Sequence, residues 1–288
     1  MALLLLAGAC TSLVVPMTAA KPAASLDGVS VTRVSDGTPF DLGAALASSS
    51  SKTLLMLGTH AADFNTVEYI QRASAAWAQL KGKGVDQVLM VVNGEPAQCS
   101  KLASMLEPPE EMVLLSDPTG EAGRRFGVSR GFRPDDAGLS AYVKLFVVGI
   151  GLGPPWGTLP AVGIGYVGSP GGRREWIETS LKQGVKAGRL AYMAELDDAG
   201  NMVGNKFDSL PILGSWGVRP FELASLRLQN LLDVQLKHWE ELKPSDERCL
   251  TQLGGCALVG PGGEPLFSWV DRGLCDLPDM EDVLDAAS

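Results

Sequence analysis

Leu54-Leu55-Met56-Leu57-Gly58-Thr59-His60-Ala61-Ala62-Asp63-Phe64-Asn65-Thr66-Val67-Glu68-Tyr69-Ile70-Gln71-Arg72 carries an apolar run of strand length that breaks at Gly58 and passes into a segment of helical period. A strand feeding a helix through a short loop opens a βαβ unit. Phe64, Val67, Tyr69, Ile70, Ala73, Trp77 and Leu80 recur mostly at spacings of three and four, so one stripe of the helix can face a sheet. Asp63 or Asn65 is placed to cap it.

Outward from this unit the chain alternates. Val29–Val34 reads as a short strand, followed by a turn at Ser35-Asp36-Gly37 and a short amphipathic piece over Phe40–Leu46. Gly82 and Gly84 end the first helix, and Asp86–Val92 is a continuous apolar strand of the kind buried on both faces of a parallel sheet. Pro96 opens a helix that runs to about Leu106, where Pro108-Pro109 stops it. Val113–Ser116 leads into Asp117-Pro118-Thr119-Gly120 and a short helix over Glu121–Phe126. Near the C-terminus, two strands joined by Pro261-Gly262-Gly263 form a hairpin, and Pro278–Ala287 closes the chain as a helix.

Three motifs resemble the peroxiredoxin-like branch of the AhpC/TSA proteins of cyanobacteria and plastids. They are the Val67-Glu68-Tyr69-Ile70 run, the string Leu114-Leu115-Ser116-Asp117-Pro118-Thr119 followed by Phe126-Gly127-Val128, and the Gln252-Leu253-Gly254-Gly255 entry to the hairpin. The resemblance implies a thioredoxin-like α/β/α sandwich, with a mixed central sheet and a long insertion before the last hairpin. Its organisation would be a targeting segment over 1–25, a first part over 26–148, an insertion over 149–217 and a closing part over 218–288. Members with thiols have Cys-x-x-Cys at the positions matched here by Asp63 and Thr66, and a hydroxyl without an adjacent base does not replace a thiolate. The proline that such enzymes place before the hairpin is replaced by Gly254-Gly255. The expected function is therefore a non-catalytic binding or structural subunit of the plastid, stromal or thylakoid-associated. Its expected partner is a photosynthetic membrane assembly, a photosystem or other pigment–protein complex, with peripheral membrane association.

The alternative is a thiol-dependent oxidoreductase using a displaced cysteine. Cys256 is the candidate nucleophile, expected near the sheet edge that faces the missing site, with Cys249 or Cys275 as resolving thiol. A third reading groups His60, Asp63, Thr66 and Arg130 as a polar ligand pocket. Cys99, in the first turn of its helix, is a further thiol to weigh. Five cysteines without a Cys-x-x-Cys make neither a disulfide framework nor a zinc site, and His60 and His238 lack companions at ligand spacing, so no metal and no cofactor is expected.

With 288 residues, 45% of them hydrophobic and 20% charged, the chain can bury a sizeable core. A net charge of -9 and a pI near 4.8, with Arg124-Arg125 and Arg173-Arg174 as isolated basic pairs, argue against a nucleic-acid partner. The first twenty residues are apolar, lack any acidic residue and read as a targeting segment. Gly131–Gly217 departs from the compact plan. Ala141–Ile150 is strongly apolar, a Gly/Pro-rich loop follows, and Trp156, Tyr166, Trp176 and Trp216 offer either internal staples or a partner surface. Asp197-Asp198-Ala199-Gly200-Asn201 is a turn between two short strands. Pro220–Leu242 reads as the longest helix, covering the second face of the sheet.

Overall fold

A computed structural model of the chain describes residues 22–151, 175–189, 194–198, 202–205 and 219–288. The centre is β3 (Lys52–His60), whose apolar alternation serves two cores at once. Leu54 and Met56 join one buried cluster, and Leu55 and Leu57 join the other, because successive strand side chains point to opposite faces. β4 (Val85–Asn93) lies parallel to β3 and β5 (Met112–Ser116) parallel to β4. Together with β1 (Ser30–Arg33), β2 (Pro39–Asp41), β8 (Gly255–Val259) and β9 (Pro265–Val270) they form a seven-stranded mixed sheet of order β2-β1-β5-β4-β3-β8-β9. β1 runs antiparallel to both β2 and β5, and β8 antiparallel to both β3 and β9.

One face of this sheet is covered by α3 (Phe64–Gly82), α4 (Pro96–Leu106) and the C-terminal helix. The other carries α1 (Pro22–Ser25), α2 (Leu42–Ser48) and α5 (Glu121–Phe126), through Leu26, Leu42, Leu46 and Ala122. Helices on both faces make this an α/β sandwich. The Phe40–Leu46 piece resolves into the end of β2 and most of α2, with the Asp41 carboxylate capping the helix at Ala44. α4 and α5 run over the spans their prolines and glycines predict.

The later elements depart further from expectation. The apolar run after Ser140 is helix α6 (Ala141–Ile150), ended by Gly151 at a positive φ of 57°. α7 (Glu175–Lys186) packs against α3, and β6 (Ala194–Leu196) pairs antiparallel with β7 (Met202–Asn205); the last three residues of the expected turn, 199–201, lie outside the described residues. Among the described residues the longest helix is α3, not the segment before Pro244. That segment is α8 (Arg219–Gln229), a π-helical stretch over Asn230–Leu236, and α9 (Trp239–Leu242). Nor does it cover the second face: Val234 and Leu242 join the cluster that α3 and α4 share, while Leu223 and Leu226 make a satellite core with Ile177 and Leu181 of α7. A wide apolar stripe can be buried against helices as well as against a sheet, and here it is both. α10 (Met280–Ala286), capped by Asp279, closes the chain on the α3 face. Residues 1–21 of the targeting segment, Trp156, Tyr166 and Trp216 lie outside the described residues, whereas its expected last residues, Pro22–Ser25, form α1 and pack on the domain.

Candidate functional site

The head of α3 is the place where this architecture would seat a reactive group, because unpaired N–H groups and the helix dipole meet there. Asp63 occupies it as the N-cap, with φ -89° and ψ 130°, and its carboxylate accepts the Asn65 N–H at 3.0 Å. The Thr66 hydroxyl is bonded to the Thr59 hydroxyl at 2.8 Å, and both side chains are fully buried. Gly58 allows this closeness, since a Cβ there would stand 2.9 Å from the Thr66 hydroxyl and 2.6 Å from the Met90 methyl. The two positions matched to thiols thus serve the fold: one caps the helix and the other pins it to β3.

Behind this head lies a set of buried charges that sequence reasoning did not single out. Glu68 is fully buried and accepts from Arg72 Nη2 at 2.6 Å and from Arg227 Nε at 2.9 Å. These two guanidiniums outweigh the cost of burial and hold its pKa down at about 2. Arg72 also donates to the Pro278 carbonyl at 2.8 Å, and its guanidinium lies 4.7 Å from the ring centre of Trp176. Trp176 is therefore an internal staple between α7 and α3 rather than a partner anchor. Beside it, the Gln71 and Asn230 amides exchange two hydrogen bonds, of 3.2 and 2.9 Å. The legible signal for this cluster was Glu68 and Arg72 at i and i+4, inside a stretch whose apolar neighbours already point to a buried helix.

A second buried pair joins Tyr69 to Asp271, which directly follows β9. Burial drives the Asp271 carboxyl well above its usual range, against the Tyr69 hydrogen bond. Gly254 makes room for it: a Cβ there would lie 2.8 Å from the Asp271 Oδ2 and 2.7 Å from the Leu57 carbonyl.

The four described cysteines are free thiols, Cys249 and Cys256 included, and no pair among them is bridged. Cys256 lies one strand in from the sheet edge formed by β9, but it is not open to that edge. It sits in β8 between Met56 of β3 and Trp269 of β9, fully buried, and desolvation together with the Asp271 carboxyl pushes its thiol far up. Cys249 is pushed up to about 12 by burial and by Asp246 and Asp117. Cys275, whose backbone stands at a positive φ of 66° and donates to the Asn65 side chain at 3.0 Å, is also raised to about 12, chiefly by desolvation. Cys99, against the Gly94 carbonyl, is raised to about 12 by desolvation as well. Its place in the first turn of α4 does not offset burial.

The expected polar pocket does not assemble. His60, Asp63 and Thr66 are buried, whereas Arg130 is exposed and paired with Asp135 at 2.6 Å. His60 stands edge-on to Trp239 with ring centres 5.9 Å apart, and neither of its ring nitrogens has a hydrogen-bond partner of good geometry. Burial lowers its pKa, opposed by the Asp63 carboxylate and the Leu250 backbone, so the ring is held neutral. A cleft of about 730 Å³ lies elsewhere, between Gln71 and Ser74 of α3, Leu106 of α4 and Ser180 and Gln183 of α7. No cluster of metal-ligating side chains occurs among the described residues. Set against known proteins, the chain matches no family model and shows no significant similarity to a curated protein or to a solved structure.

Proposed function

We propose that this chain is a thioredoxin-like, peroxiredoxin-like protein without thiol chemistry, serving in the plastid as a binding or structural subunit of a photosynthetic membrane assembly. The observation that carries the non-catalytic part is the head of α3. Its cap position is filled by a carboxylate engaged with the helix backbone, and its next turn by a threonine engaged with β3. The parallel β3-α3-β4 unit, the antiparallel β8-β9 hairpin and the closing helix α10 support the fold assignment, since thioredoxin-like domains end in this way. The desolvated thiols support the absence of peroxide chemistry, because the thiolate is the attacking species. The plastid location and the membrane partner rest on the resemblance of the sequence motifs and on a positive mean hydropathy of +0.12.

Gentle detergent fractionation of native membranes, followed by mass spectrometry, tests the reading. Migration of the chain with a large pigment–protein complex is the expected result. A pool that migrates alone in the soluble fraction, combined with peroxide-driven thiol loss that disappears in Cys256→Ser, would replace it with the oxidoreductase.

A further inference from the structure

Helix α6 is built inside out. Its one cation, Lys144, is buried and reaches the Pro134 carbonyl at 3.4 Å, and Val148 is buried beside it. The side turned to solvent carries Tyr142 at 80% exposure, Phe146 at 67% and Val143 at 45%, with Gly149 one turn further on. These are positions i, i+4, i+1 and i+7 of a single face, and none bears a polar group except the Tyr142 hydroxyl. Exposed apolar side chains scattered singly need no explanation, but two large aromatics and a valine sharing one helix face do.

The sequence that follows indicates what the face meets. From Leu145 to Gly172 there is no charged residue, and Arg173-Arg174 ends the run. Such a stretch is costly to hold against water, and the chain around it is strongly acidic, with a net charge of -9 over all 288 residues. Gly and Pro interrupt the run repeatedly, so its sequence does not favour one long continuous helix. An apolar, uncharged sequence with this punctuation, entered from a helix with exposed Tyr and Phe and followed by two arginines, has the composition expected at the lipid–water boundary.

We propose that the Tyr142–Val143–Phe146 face of α6 is a membrane-contact surface that inserts into the interface of a lipid bilayer. This goes beyond the protein partner proposed above, because the occupant here is lipid itself. Tyr142 lies at headgroup level, with its hydroxyl to water, and Phe146 and Val143 enter the acyl boundary. Hydrophobic burial drives the binding, so a net-neutral zwitterionic lipid suffices.

The test uses the full chain with protein-free phosphatidylcholine vesicles. Flotation of the wild type, and a fall of about tenfold or more in the vesicle-bound fraction for the Tyr142→Ser/Phe146→Ser double variant, are expected. Both residues are exposed, so an unchanged unfolding temperature shows that the variant is intact. A Val143→Cys label carrying an environment-sensitive dye, in a Cys10→Ser background, reads the face directly and shifts to the blue when vesicles are added. An unshifted dye, or equal flotation of wild type and double variant, overturns the proposal. So does a concentration-dependent dimer without flotation that the double variant abolishes, which gives the face to a second copy. Failure here leaves co-migration with a pigment–protein complex untouched, so the two readings stand or fall separately.

Discussion

The Tyr69 hydroxyl donates a 2.6 Å hydrogen bond to Oδ1 of Asp271, tying the second turn of α3 to the residue that leaves the last strand. Burial raises the Asp271 carboxyl well above its usual range in the fold, whereas in the unfolded chain it ionises near pH 4. Folding above that pH takes up a proton, so this group makes stability fall as pH rises from about 4 towards its raised folded value. His60 acts in the opposite sense. It is neutral in the fold with a lowered pKa, so its contribution is complete above the unfolded value of 6.5 and is lost as pH falls below it.

The two slopes oppose each other, and each variant should unmask the other. Asp271→Asn is expected to leave stability rising with pH up to about 6.5, and His60→Leu to leave it falling as pH rises above about 4. Urea unfolding at pH 5, 6 and 7 measures both. Parallel, flat profiles for both variants would show that neither group is buried in the state assigned to it.

The Glu68 triad gives the acid limit. Its carboxyl is held at about 2 by Arg227 and Arg72, so the stability it contributes is present above about pH 4.5 and is lost as pH falls through 2. A shift of that size corresponds to about 3 kcal/mol. Arg227→Ala, which leaves the carboxylate buried with a single partner, is expected to cost about 3 to 5 kcal/mol at pH 7. The loss should shrink at pH 3, and thermal unfolding at the two pH values decides it.

Removing the cap of α3 is a smaller perturbation. Asp63→Ala strands the Asn65 N–H and is expected to cost about 1 kcal/mol, a fall of about 2 to 4 °C in unfolding temperature. Asp63→Asn, which keeps an acceptor oxygen, should recover most of it. Equal losses in the two variants would mean that the carboxylate's role is something other than capping.

Thiol titration at pH 7.5 should find Cys99, Cys249, Cys256 and Cys275 slow in the folded protein. Cys99, Cys249 and Cys275 are raised to about 12 and Cys256 well above its ordinary value, so their thiolate fractions are far below that of an ordinary cysteine. All four should react at once in denaturant. Rapid labelling of Cys256 in the native protein would return the displaced-thiol enzyme to consideration.

Where one period dominates, the fold is legible in the residues. Gly82 and the flanking apolar runs delimit α3 and β4, and Pro96 with Pro108 brackets α4, whereas β3 runs on through Gly58, where the apolar run breaks, to His60. The segment from Arg219 to Leu242 shows the limit. Its apolar positions mark a helix but carry no sign of the π-helical stretch from Asn230 or of which layer it joins, since both are decided by partners as distant in sequence as Gln71. The candidate site divides in the same way. Asp63 as a cap follows from local chemistry, whereas burial of Asp271 and Cys256 depends on β8 lying inside the sheet, a matter of strand order. The apolar face of α6 stayed hidden because ten nearly unbroken apolar residues do not say which of them turn outward.

A cysteine at position 63 would stand where a helix end most favours a thiolate, yet it could enter only by displacing the carboxylate that holds the first turn together. One at position 66 would break the Thr59 link and press a larger sulfur toward Gly58. Either step loses stability before any nucleophile is gained, and the pair is needed for a resolving reaction. The helix head therefore works as a barrier in sequence space: a dithiol at these two positions is reached only through less stable intermediates.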